Sequence, residues 1–161
     1  MSHYISHYIY LSAPEGQPPL VRTTPQRDHL ELYAALDVER GYEMALALPT
    51  MDGDATVHFL EHVLGCLPDR QILLLWDRAP WHKGLAKRFV EAHEHLDMLY
   101  FPPACPDLNP QEHVWKQARE AVGHGRDYAH LSDLRQAFTG YLEGTRFTFD
   151  WIDKYCAVPI L

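Results

Sequence analysis

A chain of 161 residues, 47% of them apolar and 22% charged, can build one domain of ordinary size around a real core and is not a disordered tail. Its formal net charge of −8 excludes a surface that grips nucleic acid through bulk positive charge, because Lys and Arg carry phosphate binding. No apolar run reaches the length of about 18 residues that a membrane span needs, and residues 1–11 lack the basic and apolar regions of a secretory leader.

Cys66, Cys105 and Cys156 are widely spaced and form no Cys-x-x-Cys pair. They indicate neither a disulfide framework nor a zinc ribbon, so a reducing cytoplasm is the simplest home. Residues 1–11, rich in Tyr and Ile with Ser and His between them, suit an extended strand or a loose arm. Pro14, Gly16, Pro18, Pro19 and Pro25 predict a loop over 12–28 with a short extended piece at 20–23. Residues 29–37 and 42–48 read as two strands joined by a short turn at Gly41, which makes a hairpin. Asp52-Gly53-Asp54 reads as a helix start, and Val57, Leu60, Val63 and Leu64 have helical spacing over 55–66. The apolar run 71–76, which ends at Asp77, predicts a strand buried on both faces. A helix is expected over 82–95, a short strand over 97–101 stopped by Pro102 and Pro103, a loop over 103–110, and helices over 110–122 and 130–143. This order predicts an α/β fold, a mixed sheet flanked by helices.

Two carboxylates stand out. Asp77 sits at the carboxyl end of the apolar strand, the edge where ligands bind in open α/β sheets. Glu112 lies at the start of the next-but-one helix, just after Asn109-Pro110. A strand-end Asp and a helix-borne Glu can meet across the mouth of a sheet and hold divalent ions through hard oxygen ligands. Two such ions about 4 Å apart can activate a water or a 3′-hydroxyl and stabilise the leaving oxygen of a phosphodiester.

The residues around these carboxylates carry a family likeness. Trp76-Asp77-Arg78-Ala79-Pro80-Trp81-His82 resembles the second catalytic block of bacterial insertion-sequence transposases in the mariner superfamily. The stretch from Phe101 through Leu108-Asn109-Pro110-Gln111-Glu112 to Trp115 resembles the third block. The 34 residues between Asp77 and Glu112 match the interval of that branch. The hairpin, the helix after Asp54 and the stretch Ala13-Pro14-Glu15-Gly16-Gln17 also look like the family, so the likeness spans roughly residues 12–145.

What the resemblance implies is a ribonuclease H-like domain of a DDE-type transposase, a metal-dependent enzyme of DNA cleavage and strand transfer. Asp77 and Glu112 would be catalytic ligands of Mg2+ or Mn2+. His82 would support the site, Asn109 would cap or position the helix of Glu112, and transposon-end DNA would be the partner of the intact enzyme. The implied division is an N-terminal arm and loop over 1–28, a catalytic domain over 29–145 shortened on its N-terminal side, and a C-terminal tail over 146–161.

One part of the family pattern has no counterpart. The family carries a third carboxylate, an Asp on its first strand, and residues 1–14 hold no Asp or Glu. The expectation is a central strand that is missing or replaced by the N-terminal arm, from the same chain or from a second copy by domain swapping. A further expectation is weak metal binding and a weak or inactive isolated chain.

Each singled-out residue also has a plain reading. Asp37 could substitute for the missing Asp or simply close the hairpin turn, and Asp52 and Asp54 are helix-start residues. His58 and His62 have zinc-ligand spacing on a helix, but Glu61 is misplaced for a hydrolase motif. Lys83, Lys87 and Arg88 form a small basic face that is either solvated or in contact with phosphate. Trp115 reads as core; Trp76 and Trp81 read as core or as base-stacking residues. Against the enzyme stands a non-catalytic relic or dimerising fragment of a transposase. An unrelated hydrolase has no support, because the chain contains neither a Gly-x-Ser-x-Gly elbow nor a phosphate-cradling glycine loop.

Overall fold

The computed structural model describes residues 31–103, 109–123, 126 and 128–148. The arm expected over 1–11 and the loop expected over 12–28 lie outside these residues, as does 149–161 of the tail.

Strands β1 (Leu32–Asp37) and β2 (Tyr42–Ala47) pair antiparallel, with Leu32 opposite Ala47 and Asp37 opposite Tyr42. Asp37 makes the turn between them: its Oδ1 accepts the N–H groups of Glu39 and Arg40, both at 3.1 Å, and its carbonyl accepts that of Gly41 at 2.7 Å. Asp37 therefore takes its turn role. Gly41 has φ of +72°, and a Cβ there would collide with the carbonyl oxygen of Phe147. Gly41→Ala is accordingly expected to destabilise the fold by about 1–3 kcal/mol, measured by urea unfolding.

Helix α1 (Gly53–Cys66) begins at Asp52, whose side chain accepts the Ala55 N–H at 2.8 Å as an N-cap. That bond holds the Asp52 carboxyl below its usual range. The Tyr33 hydroxyl fixes this start to β1, donating to the Asp52 carbonyl and accepting the Asp52 N–H. Strands β3 (Ile72–Trp76) and β4 (Leu96–Tyr100) then pair in parallel, with Ile72 opposite Leu96 and Trp76 opposite Tyr100. Between them, the single helix expected over 82–95 is two pieces: a 3-10 turn at Pro80–His82 and helix α2 (Leu85–Glu91). Gly84, with φ of +56°, is the cause, since a left-handed residue cannot continue a right-handed helix. Helices α3 (Pro110–Gly123) and α4 (Leu131–Gly144) complete the described elements.

The helices divide between the two sides of the strands. One core packs Leu32 and Ala45 against Val114, Trp115, Ala118, Leu134, Phe138 and Leu142 of α3 and α4. On the opposite face of the hairpin, Tyr33 packs on Ala55, Phe59 and Val63 of α1. Leu60 of α1 meets Trp76, Ala86, Val90 and Leu96, so α1 also covers one side of β3 and β4. The chain is thus mixed α/β. Its strands, however, form two two-stranded sheets among the described residues rather than one. The expectation that β3 is buried on both faces also fails. Leu73 and Leu75 are 55% and 49% exposed, because no described element packs on the side opposite α1 and α2.

The two sheets face each other edge to edge. Tyr33, at the start of β1, touches the start of α1, and α1 ends at the turn that leads into β3. At the far end, Glu39 just past β1 is ion-paired with Arg70 just before β3. β1 and β3 therefore run in opposite directions. Residues 32–37 of one and 72–76 of the other line a shared cleft of ≈ 360 Å³.

Candidate functional site

Asp77 leaves β3 at the mouth of this cleft, and its carboxylate is held from two sides. Oδ1 accepts the Ala79 N–H at 2.9 Å and lies 2.8 Å from Nδ1 of His82. His82 is itself fixed. Its ring stacks on Trp76 with centroids 4.7 Å apart, Trp81 meets it edge-on at 6.1 Å, and its carbonyl accepts the Tyr100 hydroxyl at 2.8 Å. Arg78 lies over the Tyr100 ring, 5.6 Å from its centroid. The indole N–H groups of Trp76 and Trp81 are buried without an acceptor among the described residues, and both residues line the cleft.

The His82 hydrogen bond is the main reason that the Asp77 carboxyl sits well below the usual carboxylate range; the Ala79 N–H adds to it and burial opposes it. A depressed acid stabilises the fold above its unfolded value, and that contribution is lost as pH falls through the folded value. Replacing the imidazole should move the titration back up. A carbon-detected NMR titration of Asp77 is expected to show a higher pKa in His82→Ala than in the parent chain, and an unchanged pKa would remove His82 from its supporting role.

Glu112 lies in the first turn of α3. Asn109 starts that helix, its Oδ1 accepting the Gln111 N–H and its carbonyl the Glu112 N–H, each at 3.1 Å. Pro110 follows at the first helical position, where a missing N–H costs nothing. Burial raises the Glu112 carboxyl above its usual value, Arg119 opposes this, and the negative charge of Asp77 adds to the rise. Asp77 shares its cleft with Asn109, Pro110 and Gln111, which lead into the turn that carries Glu112.

Sequence reasoning missed Glu43. It lies on β2 and is 5% exposed, and Nε2 of Gln111 donates to its Oε1 at 2.6 Å. Burial pushes its carboxyl up to about 8, against the pull of the Gln111 bond. The available signal was parity: residues 43, 45 and 47 share one face of β2, and Ala45 and Ala47 are apolar core positions there.

The remaining sequence candidates lie away from the two carboxylates or in the core. His58 faces Glu61 at 3.6 Å and His62 faces Cys66 at 3.6 Å, so the histidine pair has local partners. Among the described residues, no group of three His, Cys, Asp or Glu is arranged to hold a metal. Lys83, Lys87 and Arg88 are exposed, and Lys87 pairs with Glu91 at 3.5 Å. Trp115 is core, 6% exposed and packed near Phe138.

A family model described as DDE superfamily endonuclease matches residues 4–135. The chain belongs to the DDE superfamily endonuclease family. The matched span contains Asp77 and Glu112, and it begins eight residues earlier than the motif likeness at residue 12. A curated relative of this DDE-family chain, "Uncharacterized protein y4pE/y4sA" of Sinorhizobium fredii (strain NBRC 101917 / NGR234), is 27% identical over 104 residues, which are 64% of this chain and 75% of that protein.

Members of the DDE family generally work with divalent metals, and the donor chemistry of Asp77 and Glu112 fits such an ion: both are hard oxygen ligands of the kind Mg2+ and Mn2+ take. The fit is in kind and not in number, since no third ligand joins them among the described residues. No described helix of this DDE-family chain is long and apolar enough to cross a membrane.

Proposed function

We propose that this chain is the catalytic-domain portion of a DDE transposase from the insertion-sequence branch of the mariner superfamily, with a ribonuclease H-like fold. The observation that carries the reading is that Asp77, at the end of β3, lines one cleft with Asn109, Pro110 and Gln111, the start of the helix whose first turn bears Glu112, all inside the family-matched span. Asp77 and Glu112 would hold Mg2+ or Mn2+, which when bound polarises a phosphodiester and activates a water or 3′-hydroxyl for strand cleavage and transfer. His82 keeps Asp77 ionised and oriented. Asn109 and the Gln111–Glu43 bond hold the first turn of α3, and with it Glu112. Lys83, Lys87 and Arg88 lie on the helix after Asp77, where they would meet the phosphates of transposon-end DNA.

The fold reading extends to the cleft between β1 and β3. Two open strand edges that run in opposite directions suit one further strand, antiparallel to β1 and parallel to β3. Residues 4–11 are the candidate, from the same chain or from a second copy in a homodimer, and the family match that begins at residue 4 supports it. Trp76 and Trp81, whose indole N–H groups have no acceptor among the described residues, line that space.

Those residues bring no Asp or Glu. Two carboxylates hold a metal less firmly than three, so the isolated chain should be weak or inactive. The same observation favours a second reading, a non-catalytic relic or dimerising fragment. Calorimetry separates the possibilities. Mn2+ is expected to bind no tighter than about the millimolar range, and Asp77→Ala or Glu112→Ala should abolish binding. Unchanged heat in both variants would show that the assigned carboxylates are not the ligands. Absence of binding in the parent chain as well would favour the relic.

A further inference from the structure

The side of β3 and β4 turned away from α1 and α2 presents Leu73, Leu75 and Leu99, which are 55%, 49% and 56% exposed. Leu73 and Leu75 are alternate residues on β3 and Leu99 is the β4 residue opposite Leu75, while exposed Asp97 stands opposite Leu73 on the same side. A contiguous bare patch of leucine on a sheet face calls for a cover.

The path of the chain says what reaches it. After α4, Phe147 is buried at 3% exposure, and its N–H donates to the Gly41 carbonyl at 2.8 Å. Gly41 lies in the β1–β2 turn, and Glu39 of that turn is paired with Arg70 at the entrance to β3. The described chain therefore stops at Thr148 beside the end of the molecule where β3 begins. It also stops on the correct side. α3 and α4 pack on the face of the hairpin opposite α1, and the leucine stripe is on the face of β3 and β4 opposite α1. From there, residues 149–161 can extend roughly 40 Å, well over twice the ~17 Å length of a five-residue strand. Nine of these thirteen residues are apolar: Phe149, Trp151, Ile152, Tyr155, Cys156, Ala157, Val158, Ile160 and Leu161.

We infer that residues 149–161 of the same chain dock across the Leu73–Leu75–Leu99 face of β3 and β4 as an intramolecular cover. The segment lies beyond the family-matched span, which ends at residue 135. The inference is independent of the metal assignment. It replaces the tail's apolar exposure and that of the stripe by one shared interface, with the hydrophobic effect as the driving force.

Cysteine labelling of the full-length chain tests this. Cys105→Ser and Cys156→Ser leave exposed Cys66 as an internal reference, and Leu99→Cys places a second thiol under the cover. Position 99 is expected to react with a maleimide about ten-fold or more slowly than Cys66, since it must wait for local opening. The ratio should not change with protein concentration, and adding Trp151→Asp and Ile152→Asp should bring position 99 to the rate of Cys66. Equal rates in the chain with an unaltered tail would overturn the inference and leave the face bare. Protection that appears only at high protein concentration would overturn it in favour of a second copy. Protection that survives the two tail substitutions would overturn it in favour of another segment.

Discussion

Phe138→Ala is expected to destabilise the protein by about 3–5 kcal/mol, the usual cost of removing a buried phenyl ring and leaving its cavity. Phe138 is the largest of the fully buried side chains, at 2% exposure. It projects from α4 into the core shared with α3 and the hairpin, and its ring centroid lies 6.4 Å from that of Trp115. The neighbours cannot easily collapse into the void. Leu142 and Leu134 belong to the same helix, Val114 and Ala118 are fixed on α3, and Leu32 is held in the β1–β2 register. Urea unfolding measures the loss as a fall in midpoint with an unchanged slope. A loss under about 1 kcal/mol would mean that α4 is not an integral part of this core. The variant also bears on the site. Trp115 is three residues after Glu112, so a loosened α3–α4 contact should blur the position of that carboxylate.

The second large effect is a pH dependence carried by Glu43. Its carboxyl is pushed from 4.5 up to about 8 by burial, so folding takes up a proton between these values. The sign follows from linkage. A raised folded pKa leaves stability intact below the unfolded value and removes it as pH rises through the folded value. At ~1.4 kcal/mol for each pKa unit, the parent chain should lose on the order of 3–5 kcal/mol between the two pKa values. Glu43→Gln keeps the shape and still accepts from Gln111, while its amide carries no charge at any pH. The variant is therefore expected to match the parent near pH 4.5 and to be the more stable by several kcal/mol above pH 8. Thermal or urea unfolding of both chains across that range reads the difference. Parallel pH profiles would show that Glu43 is not buried as an acid.

Much of this architecture is legible from local pattern. The hairpin, α1, β3, β4, α3 and α4 follow from period, turn chemistry and capping residues, with ends displaced by one or a few positions. Asp37, Asp52 and Asn109 act where their short polar side chains suggest, as turn and cap residues. The misses share a different cause. The continuous run 72–76 has the composition of a doubly buried strand, yet burial depends on what other segments supply, and the described residues supply a cover for one face only. The split at Gly84 is not legible because a glycine inside a helical pattern is tolerated at a cost of about 1 kcal/mol and does not by itself mark a break. Glu43 is masked by its charge, which in a strand suits a solvent-facing position, and only its parity with Ala45 and Ala47 reveals the inward side. Asp77 and Glu112 were legible as candidates by their motif context, whereas their mutual influence, and the hold of His82 on Asp77, depend on side-chain placement.

Helix α1 is the hinge pin on which the two ribbons hang. It buries Phe59 and Val63 against the hairpin and Leu60 against β3 and β4, so a single helix closes two of the three cores. The ribbons exchange no strand hydrogen bonds with each other among the described residues. Among the described residues, cohesion between the halves passes mainly through the side chains of α1, with Ile72 of β3 packed on the hairpin cluster and the Glu39–Arg70 ion pair at the rim. α1 cannot leave without stripping both ribbons at once. Its amides should consequently be among the slowest to exchange with solvent, released only by whole-molecule unfolding.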